Sequence, residues 1–357
     1  MQGQAIYRPL GALRFVLALL VVIQHGVHLL EPATQGFLLT MGLGIVAVAV
    51  FFVISGFVVA EANSTFYEGR PGKFLVNRVL RLVPPYLAAL VIEILSAAYL
   101  YHMGKFAPWD FELIGSPLQP SLLLGGVLAL LPGFHTRYVS GQDFEFFAFV
   151  WTLRIEFTFY LAAAVVYWVG QTRGVSLRWV TRHAGTLGLA GGYALFALFL
   201  MRRNGPEQFG LAPFFLLGVA FFLAWQKRTA CHWLHLAFAL GCVMVAFPLW
   251  KQTNAPVLVH QMPVLLALLA VFASLVFASG VGKRWKKADV FLGNISYPLY
   301  LNHYAVLLTA SNLFPERAGF GLYGVAIVVS LLLAFGMHYL VETPLKNIRD
   351  AVRGARL

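Results

Sequence analysis

The chain has 357 residues, 60% of them hydrophobic and only 11% charged, and its mean hydropathy is +0.77. A soluble domain carries about 25% charged residues, so this composition excludes a water-soluble globule and points to a polytopic membrane protein, one domain over 1–357, surrounded by membrane lipid. The formal charge of +12 does not indicate nucleic acid as a partner, because the basic residues sit in short gaps between apolar runs.

A helix needs about 20 apolar residues to span the hydrocarbon. Ten runs meet or approach that length, near 11–30, 41–61, 82–101, 147–169, 186–201, 209–225, 233–250, 260–280, 295–313 and 321–341. A shorter run, 121–132, is bracketed by Pro120 and Pro132 and is expected to be re-entrant or interfacial. The first run is too long for the core of a cleavable signal. Of the 26 lysines and arginines, 18 fall in alternate gaps on one side and 6 on the other. That bias predicts cytoplasmic termini and an even number of crossings. The expected fold is therefore all-α, with about ten transmembrane helices and one short extra helix. Cys231 and Cys242 imply no disulfide framework.

In chain order, the first candidate residues are Arg14 and His25, in "RFVLALLVVIQH". Eleven residues apart, they return to within about 20° of one helical face, roughly 16 Å apart along the axis. Ionisable groups in membrane spans are costly and usually face a cavity or a partner. This stripe reads as a track with a cation at one end and a base at the other. In "FFVISGFVVA", Ser55 and Gly56 form a small-residue patch, for which close helix packing is the simpler account. In "FLVNRVLRLVPPYL", Arg78 and Arg81 share a face at i and i+3. Such forked cations suit a phosphorylated ligand or lipid headgroups, and Pro84–Pro85 is expected to break or kink the helix.

Glu93 is also intramembrane. In "FVWTLRIEFTFYLAA", Arg154 and Glu156 point to different faces, which disfavours a mutual ion pair. Glu156 falls at the depth expected of His25, where a carboxylate would orient the imidazole. In "LGNISYPLYLNHYAV", Tyr300 and His303 share a face, and Tyr297 reads as an interfacial anchor. Glu342, in "VETPLKN", is placed to hold a cytoplasmic arginine. "CHWLH" lacks convergent carboxylates, so no metal is expected.

These stretches, in this order, resemble the membrane acyltransferase-3 family. The matches are Arg14 and His25 in the first helix; "FFVISGF"; Arg78, Arg81, Pro85 and Tyr86; Trp151, Thr152, Leu153, Glu156, Phe159, Tyr160 and Leu161; residues 295–303; and Glu342 with Pro344. Ala49, Phe157 and Asn302 depart from the usual pattern. The resemblance implies transfer of an acyl group, most often acetyl, from cytoplasmic acyl-CoA (acetyl-CoA) to a hydroxyl of a glycan or lipid-linked sugar. Arg14, Ser55, Arg78, Arg81, Tyr297, Tyr300 and His303 are expected to hold the donor. His25 would act as base or carry the acyl group, Glu156 would orient it, Tyr300 or Arg154 would stabilise the oxyanion, and Glu342 would support the arginines. A secondary transporter is the alternative, but it should show inverted repeats, and none is visible. A glycosyltransferase would need an acidic pair in an outer loop, for which Asp110 and Glu112 lack context.

Overall fold

The computed structural model describes residues 7–108, 112–172, 212–250, 257–277 and 283–354, and every regular element among them is helical. Among the described residues, seven helical stretches are long and apolar enough to cross a membrane: Leu10–Leu29, Thr34–Thr65, Pro71–His102, Val150–Val169, Ala230–Pro248, Val259–Phe277 and Phe320–Arg353. The protein is thus an all-α, multi-pass membrane protein. Three of the ten predicted crossings are not among these seven. The run 209–225 forms a helix of 16 residues, Ala212–Lys227. The run 295–313 lies in a 31-residue helix, Lys283–Leu313, whose first turns are charged. The run 186–201 lies outside the described residues, as do Arg173, Arg178 and Arg182. The expected short helix is Pro120–Leu128, whose 9 residues reach only about 14 Å.

The elements used below are α1 (Leu10–His25), α2 (Pro32–Met41), α3 (Leu43–Thr65), α4 (Pro71–His102), α5 (Pro120–Leu128), α6 (Arg137–Ser140), α7 (Val150–Thr172), α8 (Ala212–Lys227), α9 (Ala230–Trp250), α10 (Met262–Phe277), α11 (Lys283–Leu313), α12 (Phe320–Met337) and α13 (Thr343–Arg353). The expectation at Pro84–Pro85 needs correction in part: the prolines do not break the helix, and α4 continues from Pro71 to His102. Prolines are tolerated inside membrane helices because neighbouring groups re-satisfy the freed carbonyls. Ahead of Pro344 the chain widens into a π turn, His338–Glu342, before continuing as α13.

The chain forms two compact units. One comprises Met1–Leu10, Thr40–Val76 and Phe159–Lys287. Its core is the crossing of α3 with α8. A Cβ on Gly56 would lie 2.0 Å from the Phe215 carbonyl oxygen, and one on Gly218 would lie 1.9 Å from that of Val53. The small-residue patch read in "FFVISGF" therefore serves backbone approach. Phe215 stacks on Phe159 with ring centroids 4.1 Å apart. Arg8 is buried against Trp225 and ion-paired with Glu61.

The other unit comprises Gly11–Leu39, Asn77–Thr158 and Ala288–Leu357. Here α1 crosses α11 backbone to backbone: a Cβ on Gly11 would meet the Asp289 carbonyl oxygen at 1.9 Å, and one on Gly293 would meet the Gly11 Cα at 2.9 Å. The Asp289 carboxylate accepts from the Gly11 and Ala12 amides at 3.1 and 2.7 Å, satisfying orphan donors at the start of α1. At its other end α1 tightens into a 3-10 turn, Gly26–Leu29. That turn is tied down: the Tyr323 hydroxyl donates to the Ile23 carbonyl at 3.1 Å, the Gly319 amide donates to Leu29 at 2.7 Å, and Leu29 packs with Leu307 and Ala326. These contacts fix where the last residue of α1, His25, points.

Candidate active site

His25 Nδ1 lies 2.8 Å from Nε2 of His303, and His303 Nδ1 lies 2.8 Å from the carbonyl oxygen of Tyr300. The two contacts together define the tautomers. A carbonyl can only accept, so the His303 proton is on Nδ1. In the neutral ring, Nε2 of His303 then carries a lone pair and accepts from His25 Nδ1–H. The remaining nitrogen of His25, Nε2, is left unprotonated. His303 is fully buried and His25 is half-buried, and Phe149 stacks on both rings, with centroids 5.1 and 6.5 Å away. Burial holds the pair in register, and the backbone carbonyl of an apolar helix sets the proton order. This is the arrangement by which a third group orients a catalytic base.

The hydroxyls beside the pair are ordered as well. The Thr152 hydroxyl donates to the Phe149 carbonyl at 2.8 Å, which commits its proton, so at 2.6 Å the Tyr300 hydroxyl donates to Thr152. Glu156, half-buried on α7, lies within electrostatic reach of Tyr300. Arg154 is buried, ion-paired with Glu145 and donating to the Phe134 carbonyl at 2.6 Å. Both groups read as oxyanion donors therefore have protein partners. Spacing correctly disfavoured Glu156 as the partner of Arg154, but the actual partner, Glu145, sits in the loop before α7. Burial pushes the Glu145 carboxyl above the usual range, opposed by Arg154 and His135.

The remaining candidates separate. Arg14 is half-buried on the same helix as His25. Tyr297 donates to the Leu82 carbonyl at 3.1 Å, one residue beyond Arg81. Arg78 is 7% exposed, and Glu342 lies in the field of Arg81 and Arg349. Ser55 belongs to the other unit, its hydroxyl 3.4 Å from that of Tyr160. Asp110 lies outside the described residues, and Glu112 is exposed.

The profile of the acyltransferase-3 domain matches residues 10–339, from the first turn of α1 into the π turn that follows α12. The chain belongs to the acyltransferase-3 family. Protein 2 in the picA locus of Rhizobium radiobacter is 34% identical over 141 residues, which is 38% of this chain and 69% of that protein. No solved structure matches. This acyltransferase thus carries its imidazole pair, His303 buried and His25 half-buried, inside the family domain. Sequence reasoning had His303 among donor-binding residues; nothing in a local motif reveals that a histidine 278 positions away meets His25. Phe149 and Glu145 were missed for the same reason.

Proposed function

We propose that this acyltransferase moves an acyl group, most often acetyl, from cytoplasmic acyl-CoA to a hydroxyl on a cell-surface or lipid-linked glycan across the cytoplasmic (inner) membrane. The observation that carries the reading is the Tyr300 carbonyl, His303, His25 chain, because it leaves His25 Nε2 basic. In the reaction, the acceptor O–H gives its proton to His25 Nε2 as its oxygen attacks the thioester carbon. The C–S bond then breaks, and the proton passes to the leaving thiolate of CoA. His303 is a positioning residue for His25. Glu156 supplies negative charge as the imidazolium forms, and Arg14, Arg78 and Arg81 hold donor phosphates, with Tyr297 and Tyr300 completing the donor path.

The lysine and arginine bias supports cytoplasmic termini and hence a cytoplasmic donor. The test uses purified protein for acyl-CoA binding and mass spectrometry of cell-surface glycans for transfer. His25→Ala should abolish transfer while leaving acyl-CoA affinity within a few-fold of the parent. His303→Ala should lower kcat by about 10²-fold or more with KM little changed, and should shift the pH–rate profile, because it removes orientation rather than the base. A His25→Ala variant that transfers normally would sink the assignment.

A further inference from the structure

The last described helix, α13, carries positive charge beside the turn of α4 that bears Arg78. Arg349 and Arg353 are four residues apart and share one face, and Glu342 lies on that face seven residues before Arg349. The Asn77 side-chain amide donates to the Arg349 carbonyl at 2.8 Å, which fastens α13 to the turn of α4 that carries Arg78 and Arg81. The charges acting on Arg349 are those of Arg81, Arg78 and Arg353, together with the Glu342 carboxylate. Nε of Arg349 is buried and, among the described residues, makes no hydrogen bond. Like charges gathered in a partly buried site repel, and each guanidinium presents a planar fork of donors matched to phosphate oxygens. Such a cluster is complete when a multiply charged anion enters it.

We propose that Arg349 and Arg353 join Arg78 and Arg81 in a four-guanidinium cradle for a phosphate dianion, the 3′-phosphate on the nucleotide end of acyl-CoA. The proposal rests on the donor assignment above and extends it to a helix beyond the matched family domain, which ends at residue 339. Glu342 spaces the arginines, and Asn77 holds α13 in place.

The test is calorimetric titration of CoA and of dephospho-CoA, which lacks the 3′-phosphate, into the full chain in nanodiscs of phosphatidylcholine. The parent should prefer CoA, and Arg349→Gln and Arg353→Gln should each lower CoA affinity about tenfold while leaving dephospho-CoA affinity nearly unchanged. Arg349→Lys, which keeps the charge and the packed stem but loses the fork, should fall between. Variants that retain the parent's preference, with the parent still binding CoA, would overturn the cradle and leave the transfer reading standing. A parent that binds no CoA would overturn both. A second series in discs containing phosphatidylglycerol separates the sources of phosphate. If anionic lipid abolishes CoA binding to the parent but not to the glutamine variants, the cradle holds lipid headgroups and the assignment to CoA falls.

Discussion

Two arginine settings in the same unit, one buried and one half-buried, are built on different charge balances. Arg154 meets one carboxylate, Glu145, and a backbone carbonyl, so its charge is answered within the protein. Arg349 stands among Arg78, Arg81 and Arg353 with Glu342 as the carboxylate acting on it. The first is a tie between a loop and a helix. The second gathers guanidinium groups around Arg349, where the proposal above seats a phosphate. The presence of an arginine in a membrane protein thus says little about its role until the charges that act on it are known.

The largest expected effect lies at the tie. Arg154→Ala leaves Glu145 buried without its counter-ion and should cost about 3–5 kcal/mol of stability, read as a lowered unfolding temperature in detergent. The defect should shrink on acidification. Burial already raises the Glu145 pKa above its unfolded value, so the folded state is favoured at low pH and loses that advantage as pH rises through the folded pKa. Removing Arg154 raises the pKa further, so a defect that is the same at pH 4.5 and pH 7.5 would contradict the pairing. At the cluster, Glu342→Gln should destabilise the unliganded protein by roughly 1–3 kcal/mol, since it removes a carboxylate from among guanidinia, while acyl-CoA affinity holds or rises; a fall in affinity would make Glu342 a direct ligand contact. The smallest stability effect belongs to Arg81→Ala. It should leave the unfolding temperature unchanged or slightly higher while weakening acyl-CoA binding by about 1–3 kcal/mol. If it instead destabilises the protein as Arg154→Ala does, the contrast between the two settings disappears.

Particular elements explain how much was legible in advance. The membrane helices follow from run length, because in hydrocarbon a helix satisfies its own backbone. At Pro84–Pro85, expected to break or kink the helix, α4 runs on without a break, since in a membrane neighbouring groups re-satisfy the carbonyls that proline frees. Arg14 with His25, and Arg78 with Arg81, could be read because helical period relates residues a few turns apart. That α13 is fastened beside Arg78 and Arg81 was not legible, since it depends on the amide of Asn77, 272 positions before Arg349.

By itself, then, the sequence determined that the chain is a bundle of membrane helices, which of its residues are ionisable inside them, and which of these share a helical face; those are consequences of short-range geometry and solvation. Tertiary structure alone decided the partners: His303 at Nδ1 of His25, Glu145 at Arg154, Asp289 at the start of α1. The physical reason is that a buried polar group must be satisfied by whatever packing brings within about 3 Å, and distance along the chain places no limit on which group that is.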